Sequence, residues 1–398
     1  MVLNSARFIS CIGIFALVFQ GCAPHSSPKN AASMSVPQTP KHVNTVHLPN
    51  DSKQELAQPD GTHVQKPGGM AAVKPTGKAA ATAHVKSQSN VSKARGIARK
   101  KQKKIVVYFP SWVSHDRLET GLQSVSTSVN VINLAFVSPA AIYKGDGDLS
   151  RTDLGFSGED LHSQLQALRM KNPTIKILLS IGGWGASWDE IHETDIALIV
   201  KDFDLDGVDI DFEPSDTHCF TNGPNSRSCS SDSKYIEIVK RFRKVLPRPS
   251  YISAAVWPTG AFGVGDFSDS KPSGRFTGQL LNVLPQVGNK LDLINIMAYN
   301  ATSRLNSLEA LHAYQAVYKG AVTVGVSVPP EESGDHILTE SELSLVLENI
   351  VETDAAGIMV WTSHRLTLGS SHLIDLPTVI RMACREFKLN NPSQTCAK

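Results

Sequence analysis

Between Asp206 and Glu213 the chain reads Asp-Gly-Val-Asp-Ile-Asp-Phe-Glu, which sets carboxyls at Asp209, Asp211 and Glu213, every second residue. Side chains alternate across a strand, so these three carboxyls share one face and Val208, Ile210 and Phe212 share the other. Stacked carboxyls on a buried face are costly unless they are hydrogen-bonded or partly protonated. Like charges and burial raise the pKa of at least one of them. Glu213 is nearest the C-terminal end of the strand. A carboxyl that stays protonated there can donate its proton to a leaving oxygen. Asp209 and Asp211 then share protons as a coupled pair. The alternative is an edge strand with its acids in water. The segment lies in the middle of the strand pattern, and its apolar face suits a covering layer of helices.

Eight short apolar runs set the frame for these residues: Ile105–Phe109, Val129–Val137, Ile175–Ile181, Gly207–Glu213, Tyr251–Trp257, Leu291–Tyr299, Val322–Val328 and Gly357–Trp361. Helix-type segments fall between most of them, at Gly158–Lys171, Asp189–Asp202, Ser233–Leu246, Leu305–Lys319 and Thr339–Glu352. Tyr235, Ile238, Val239 and Phe242 stand at helical spacing, and Thr339 with Glu342 forms a capping box. Near-continuous apolar strands alternating with helices predict a parallel sheet covered by helices. Eight repeats from residue 101 onward predict an α/β fold, the (β/α)8 TIM barrel, with its active site at the C-terminal ends of the strands. A doubly wound open sheet is the rival. No glycine-rich phosphate loop follows the first strand, which disfavours a nucleotide-binding sheet.

The motif Asp206-x-x-Asp209-x-Asp211-x-Glu213 resembles the signature of glycoside hydrolase family 18, the chitinase family. Ser180-Ile-Gly182-Gly183-Trp184 resembles that family's third-strand element, Met297-Ala-Tyr299-Asn300 its sixth, and Gly357-Ile-Met359-Val-Trp361 its eighth. The resemblance implies a catalytic set of Glu213, Asp211, Asp209 and Tyr299. Glu213 would be the general acid and then the base. Asp211 would bond the substrate's N-acetyl group, Asp209 would share a proton with Asp211, and Tyr299 would hydrogen-bond the acetamide oxygen. Trp361 would be the floor under the cleaved sugar. The remaining substrate-binding candidates are Asn300, Met297, Trp257, Gly183, Trp184 and Tyr108. The family uses the substrate's own acetamide as nucleophile, an exception to the two-carboxylate scheme.

Some features depart from the family pattern or lie outside it. Asn300 stands where many relatives carry Asp, and Phe212-Glu213-Pro214 replaces Trp-Glu-Tyr. The spacing before the eighth strand leaves no room for a cleft-deepening domain, so a shallow cleft and endo attack are expected. Trp112, Trp188 and Trp257 could stack on sugars or simply pack. Tyr108 could line the site or fill the barrel. His364 just past the eighth strand reads as structural.

The N-terminal hundred residues have a different texture. Arg7 followed by the apolar run Phe8–Phe19 and Gly21-Cys22 reads as a signal segment over 1–22, possible membrane anchoring through a lipidated Cys22 included. Residues 23–100 hold 11 Lys/Arg against 3 Asp/Glu and no Phe, Trp or Tyr. They are read as a disordered basic linker, or as an adhesive segment for an anionic surface. The chain's formal net charge is +2, so the rest is acidic, which excludes a nucleic-acid face. Cys219, Cys229, Cys384 and Cys396 permit three pairings. Their spacing suggests two local bridges, Cys219–Cys229 and Cys384–Cys396, in an oxidising compartment. With no CxxC and no His at ligand spacing beside these cysteines, no metal is implied, nor any organic cofactor. A secreted or cell-envelope monomer acting on chitin or another N-acetylglucosamine glycan is expected. The competing readings are an endo-β-N-acetylglucosaminidase on N-glycans, a non-catalytic lectin-like barrel, and a surface adhesin.

Overall fold

The computed structural model describes residues 102–113, 121–223, 225–302, 304–329, 336–362, 373–389 and 396. The expected signal segment, the linker, Cys22 and His364 lie outside the described residues. Among the described residues ten strands run in chain order: β1 (Lys104–Pro110), β2 (Val131–Val137), β3 (Lys176–Gly182), β4 (Gly207–Asp211), β5 (Cys219–Gly223), β6 (Ser226–Cys229), β7 (Tyr251–Val256), β8 (Leu293–Ile296), β9 (Ala321–Ser327) and β10 (Gly357–Trp361). Eight of them close a barrel in the order β1-β10-β9-β8-β7-β4-β3-β2. Every neighbouring pair in it is parallel. The α/β barrel expected from the apolar runs is the observed fold.

The helices are α1 (Gly158–Lys171), α2 (Glu193–Asp202), α3 (Asp232–Val245), α4 (Leu284–Val287), α5 (Ser307–Val317), α6 (Glu340–Glu352) and α7 (Leu376–Glu386). Their ends follow local chemistry. Ser157 accepts from the Asp160 N–H at the start of α1, where Glu159 and Asp160 meet the positive end of the helix dipole. Thr339 and Glu342 make the reciprocal capping box that their spacing predicts. Helix α7 was not expected. Pro377 looks like a breaker, yet in the first turn its missing N–H costs nothing, and Asp375 caps Thr378.

Alternation sorts the barrel strands into two faces. Outward residues such as Val208, Ile210, Ile252 and Ile294 are fully buried against the helix layer. Inward residues form tiers. Val106, Val131, Leu178, Leu293 and Met359 belong to an apolar interior cluster. Polar side chains share this inward face, with Asn133, Ser180, Asp209, Ser253, Asn295 and Thr323 all inaccessible to solvent. The β5–β6 hairpin, an insertion after β4, is clamped by Cys219–Cys229, and Cys384–Cys396 ties α7 to the C-terminal segment. Both bridges match the pairing suggested by spacing. The hairpin was not foreseen because its strands are short and polar, with no apolar alternation to mark them.

A partly buried ion pair joins the outer layer to the barrel. Arg243 of α3 donates to Asp292 Oδ2 at 2.6 Å, the Ile252 N–H of β7 donates to the same oxygen at 2.9 Å, and Arg248 reaches Oδ1. Burial alone would raise the Asp292 pKa. The Ile252 N–H and the two guanidiniums outweigh it and hold the carboxyl below its ordinary value. A depressed carboxyl stabilises the fold above its unfolded pKa and loses that contribution as pH falls through the folded value. Asp292→Asn is expected to lower the unfolding free energy at neutral pH by about 2 kcal/mol in urea titrations. The gap to wild type should close as the pH falls below about 4.

Candidate active site

The polar interior is organised around Asp209. Its position on β4 lies directly across from Ser180 on β3 and Ser253 on β7. Oδ2 accepts from the hydroxyls of Tyr108 and Ser180, each at 2.8 Å. Oδ1 accepts from the Ser253 hydroxyl at 2.5 Å and, more distantly, from the Asn295 amide at 3.4 Å. Thr323 donates to the Asn295 oxygen at 2.7 Å, which turns the amide's N–H side toward Asp209. Each of these donors sits on a different strand.

Asp211 is placed differently. It is 4% exposed, and among the described residues its Oδ1 has no hydrogen-bond partner. Burial, then the charges of Glu213 and Asp209, push its pKa well above the ordinary carboxylate range. Burial also raises Asp209, but its four hydrogen bonds all oppose the rise. The donors favour the charged form of Asp209, whereas burial beside two carboxyls favours the protonated form of Asp211. Tyr108 is pushed up as well, by burial and then by the charges of Asp209 and Asp211, so its hydroxyl remains a donor.

Backbone geometry on β3 makes room for this pair. Gly182 and Gly183 hold φ of +101° and +87°. A Cβ on Gly182 would lie 2.4 Å from the Asp211 carbonyl oxygen, which accepts from the Gly183 N–H at 3.0 Å. A Cβ on Gly183 would strike the Phe136 ring at 2.7 Å.

Above the pair lies a cavity of about 590 Å³ that includes Asp211, Glu213, Tyr299 and Trp361. Glu213 and Tyr299 lie just past the ends of β4 and β8, at the mouth of the barrel. Of the other sequence-selected residues, Asn300, Met297, Trp257 and Trp184 also line it. Gly183 acts through the turn. Tyr108 fills the barrel instead of lining the site: it is 1% exposed, and its ring meets Trp361 edge-on at 5.7 Å. Trp112 lines the cavity, whereas Trp188 is packing, buried edge-on against Phe212.

Phe136 also lines the cavity and stacks on Trp361 at 5.8 Å. Alternation along β2 assigns it to the outer face. A register shift between Leu134 and Val137 breaks the alternation, which is why the sequence pattern missed it. Tyr108 and Ser180 were singled out in the sequence, whereas Ser253 and Asn295 were visible only as polar interruptions in apolar strands. A second cavity of about 610 Å³ shares Phe136 and Trp184 with the first, so the two adjoin at these side chains.

The site is thus a carboxyl set at the C-terminal mouth of a closed parallel (β/α)8 barrel. The family model for glycosyl hydrolases family 18 matches residues 104–327, and the chain belongs to that family of glycoside hydrolases. A chitinase of Plasmodium falciparum (isolate 3D7) is 25% identical over 178 residues. That alignment spans 41% of this chain and 45% of the relative, so it covers less than half of the relative's length. Among solved structures, a GH18 chitinase from Pseudoalteromonas aurantia superposes with a TM-score of 0.50 at 18% identity, covering 71% of this chain and 99% of that one. The catalytic domain of a GH18 chitinase from the fern Peteris ryukyuensis gives 0.49 at 15% identity, covering 71% and 99%. At 18% identity, the Pseudoalteromonas aurantia superposition speaks to the fold alone.

Removing one donor from Asp209 raises its pKa further. Tyr108→Phe is therefore expected to move the acid limb of the kcat/KM–pH profile to higher pH. It should also lower kcat/KM at neutral pH about tenfold, read from pH-dependent kinetics. An unmoved acid limb would remove Tyr108 from the proton balance.

Proposed function

We propose that this chain is an exported, endo-acting chitinase that cleaves β-1,4 bonds between N-acetylglucosamine units by substrate-assisted retaining catalysis. The observation that carries the reading is the unequal carboxyl pair beneath Glu213: Asp209 held by four donors, Asp211 raised and, among the described residues, unpartnered at Oδ1. A two-carboxylate retaining enzyme needs a second ionised nucleophile beside the acid. Asp211 is a poor one, since burial and the neighbouring charges of Glu213 and Asp209 favour its protonated form.

In this mechanism Glu213 protonates the glycosidic oxygen. The acetamide oxygen attacks the anomeric carbon, and the leaving sugar departs with the proton. Asp211 receives the acetamide N–H. As positive charge develops there, the Asp211 anion becomes favourable, and its proton passes to Asp209, whose own pKa burial has raised. Tyr299 holds the acetamide oxygen, and Trp361 with Phe136 supplies the apolar floor. Water then opens the oxazolinium ion, with Glu213 as base and retention of configuration.

Endo action is supported by the adjoining cavities that share Phe136 and Trp184. Among the described residues, the stretch from β9 to β10 holds one helix, α6, and no added domain. Export is supported by two disulfides, which persist in oxidising compartments. Anchoring through Cys22 and a tether over 23–100 belong to the same proposal.

The test is turnover of chitin oligomers beside an N-glycoprotein, with wild type and Glu213→Gln. The wild type should cleave hexamers internally, and Glu213→Gln should lose about 10³-fold in kcat. Cleavage of the N-glycoprotein alone would favour the endo-β-N-acetylglucosaminidase reading. A wild type inert on both would overturn the enzymatic one.

A further inference from the structure

A cation, Arg275, packs on Trp184, an aromatic side chain that lines both cavities. Arg275 lies in the segment between β7 and α4. Its guanidinium sits 4.7 Å from the ring centre of Phe276 and 5.3 Å from that of Trp184. Its Nη1 donates to the Ser215 carbonyl at 2.9 Å. Phe276 stacks on Trp257 at 4.4 Å and 6°, and Trp257 meets Trp184 edge-on at 6.2 Å. Arg275, Phe276, Trp257 and Trp184 thus close a ring of four contacts. The ring joins the loops that follow β3, β4 and β7.

Trp184 depends most on this ring. It is 67% exposed, and it borders both cavities. An indole with most of its surface in water has little packing to hold its rotamer. A planar guanidinium over its face supplies an attraction that does, and the hydrogen bond to Ser215 fixes the guanidinium in turn. Among the described residues, the contacts of Arg275 are with this ring and Ser215 and not with the three carboxyls.

We propose that Arg275 is a positioning residue: it holds Trp184 and Trp257 as a preset stacking platform and so sets affinity for glycans long enough to cross from one cavity to the other. The inference rests on the glycan-cleaving function proposed above. It predicts an effect on binding of long substrates, with the bond-breaking step left intact.

The test compares wild type, Arg275→Ala and Arg275→Lys on chitin hexamer and trimer, with thermal unfolding as a check on folding. Arg275→Ala should raise KM for the hexamer about five- to tenfold, with kcat held within about twofold. KM for the trimer should move less than about twofold, because three sugars do not need the far side of the platform. Arg275→Lys keeps the cation and the stem without the planar fork, and should fall between the two. If alanine loosens the loops and lowers the unfolding midpoint, the lysine variant carries the comparison. A hexamer KM unchanged in both variants, or a fall in kcat at constant KM, overturns the inference while leaving the proposed function standing. A wild type inert on both oligomers overturns that function and this inference with it.

Discussion

A carboxylate placed inside a closed barrel must be solvated by protein or give up its charge. Asp209 meets that demand with four donors drawn from four strands, and much of the barrel interior follows from it. Ser180, Ser253 and Asn295 interrupt strands that are otherwise apolar, and each interruption falls where the register brings it beside Asp209 or within reach of it. Thr323 then fixes the Asn295 amide. Because these donors are spent on Asp209, Asp211 is left with burial and two neighbouring charges. The difference between two adjacent aspartates comes from how hydrogen bonds are shared out, with no change of residue type.

The fold supplies this asymmetry through ordinary barrel physics. Parallel strands with apolar outer faces pack under helices, which frees the inner faces to carry polar groups at one level and aromatic groups at the mouth. The Gly182–Gly183 turn lets β3 approach the Asp211 backbone more closely than any side chain would allow. Glu213 and Tyr299 gain access to the cavity because β4 and β8 end before them.

Much of this was legible in the residues. Apolar runs gave the strand count, and the two-residue spacing of Asp209, Asp211 and Glu213 gave their common face. Cavity residues close to strand ends, such as Trp361 and Met297, could be placed from the motifs. Other features needed the third dimension. Phe136 enters the cavity only because β2 slips register, and no periodicity announces a slip. The partners of Asp209 are up to about a hundred residues away in sequence, so their meaning depends on which strands become neighbours. Arg275 and Phe276 sit in a loop with no pattern of its own, and only barrel closure brings them to Trp184. Helix α7 was hidden by a proline whose effect depends on its place in the turn.

The central claim is that burial beside two carboxyls favours the protonated form of Asp211, while its donors favour the charged form of Asp209. Carbon-13 NMR of protein labelled at the aspartate side-chain carboxyl carbon measures this directly, with Asp211→Asn and Asp209→Asn to assign the signals. A carboxyl resonance in the protonated range at pH 7 that vanishes in Asp211→Asn and persists in Asp209→Asn is the predicted result. A fully ionised pair at pH 7, or a protonated signal that survives Asp211→Asn, would contradict it.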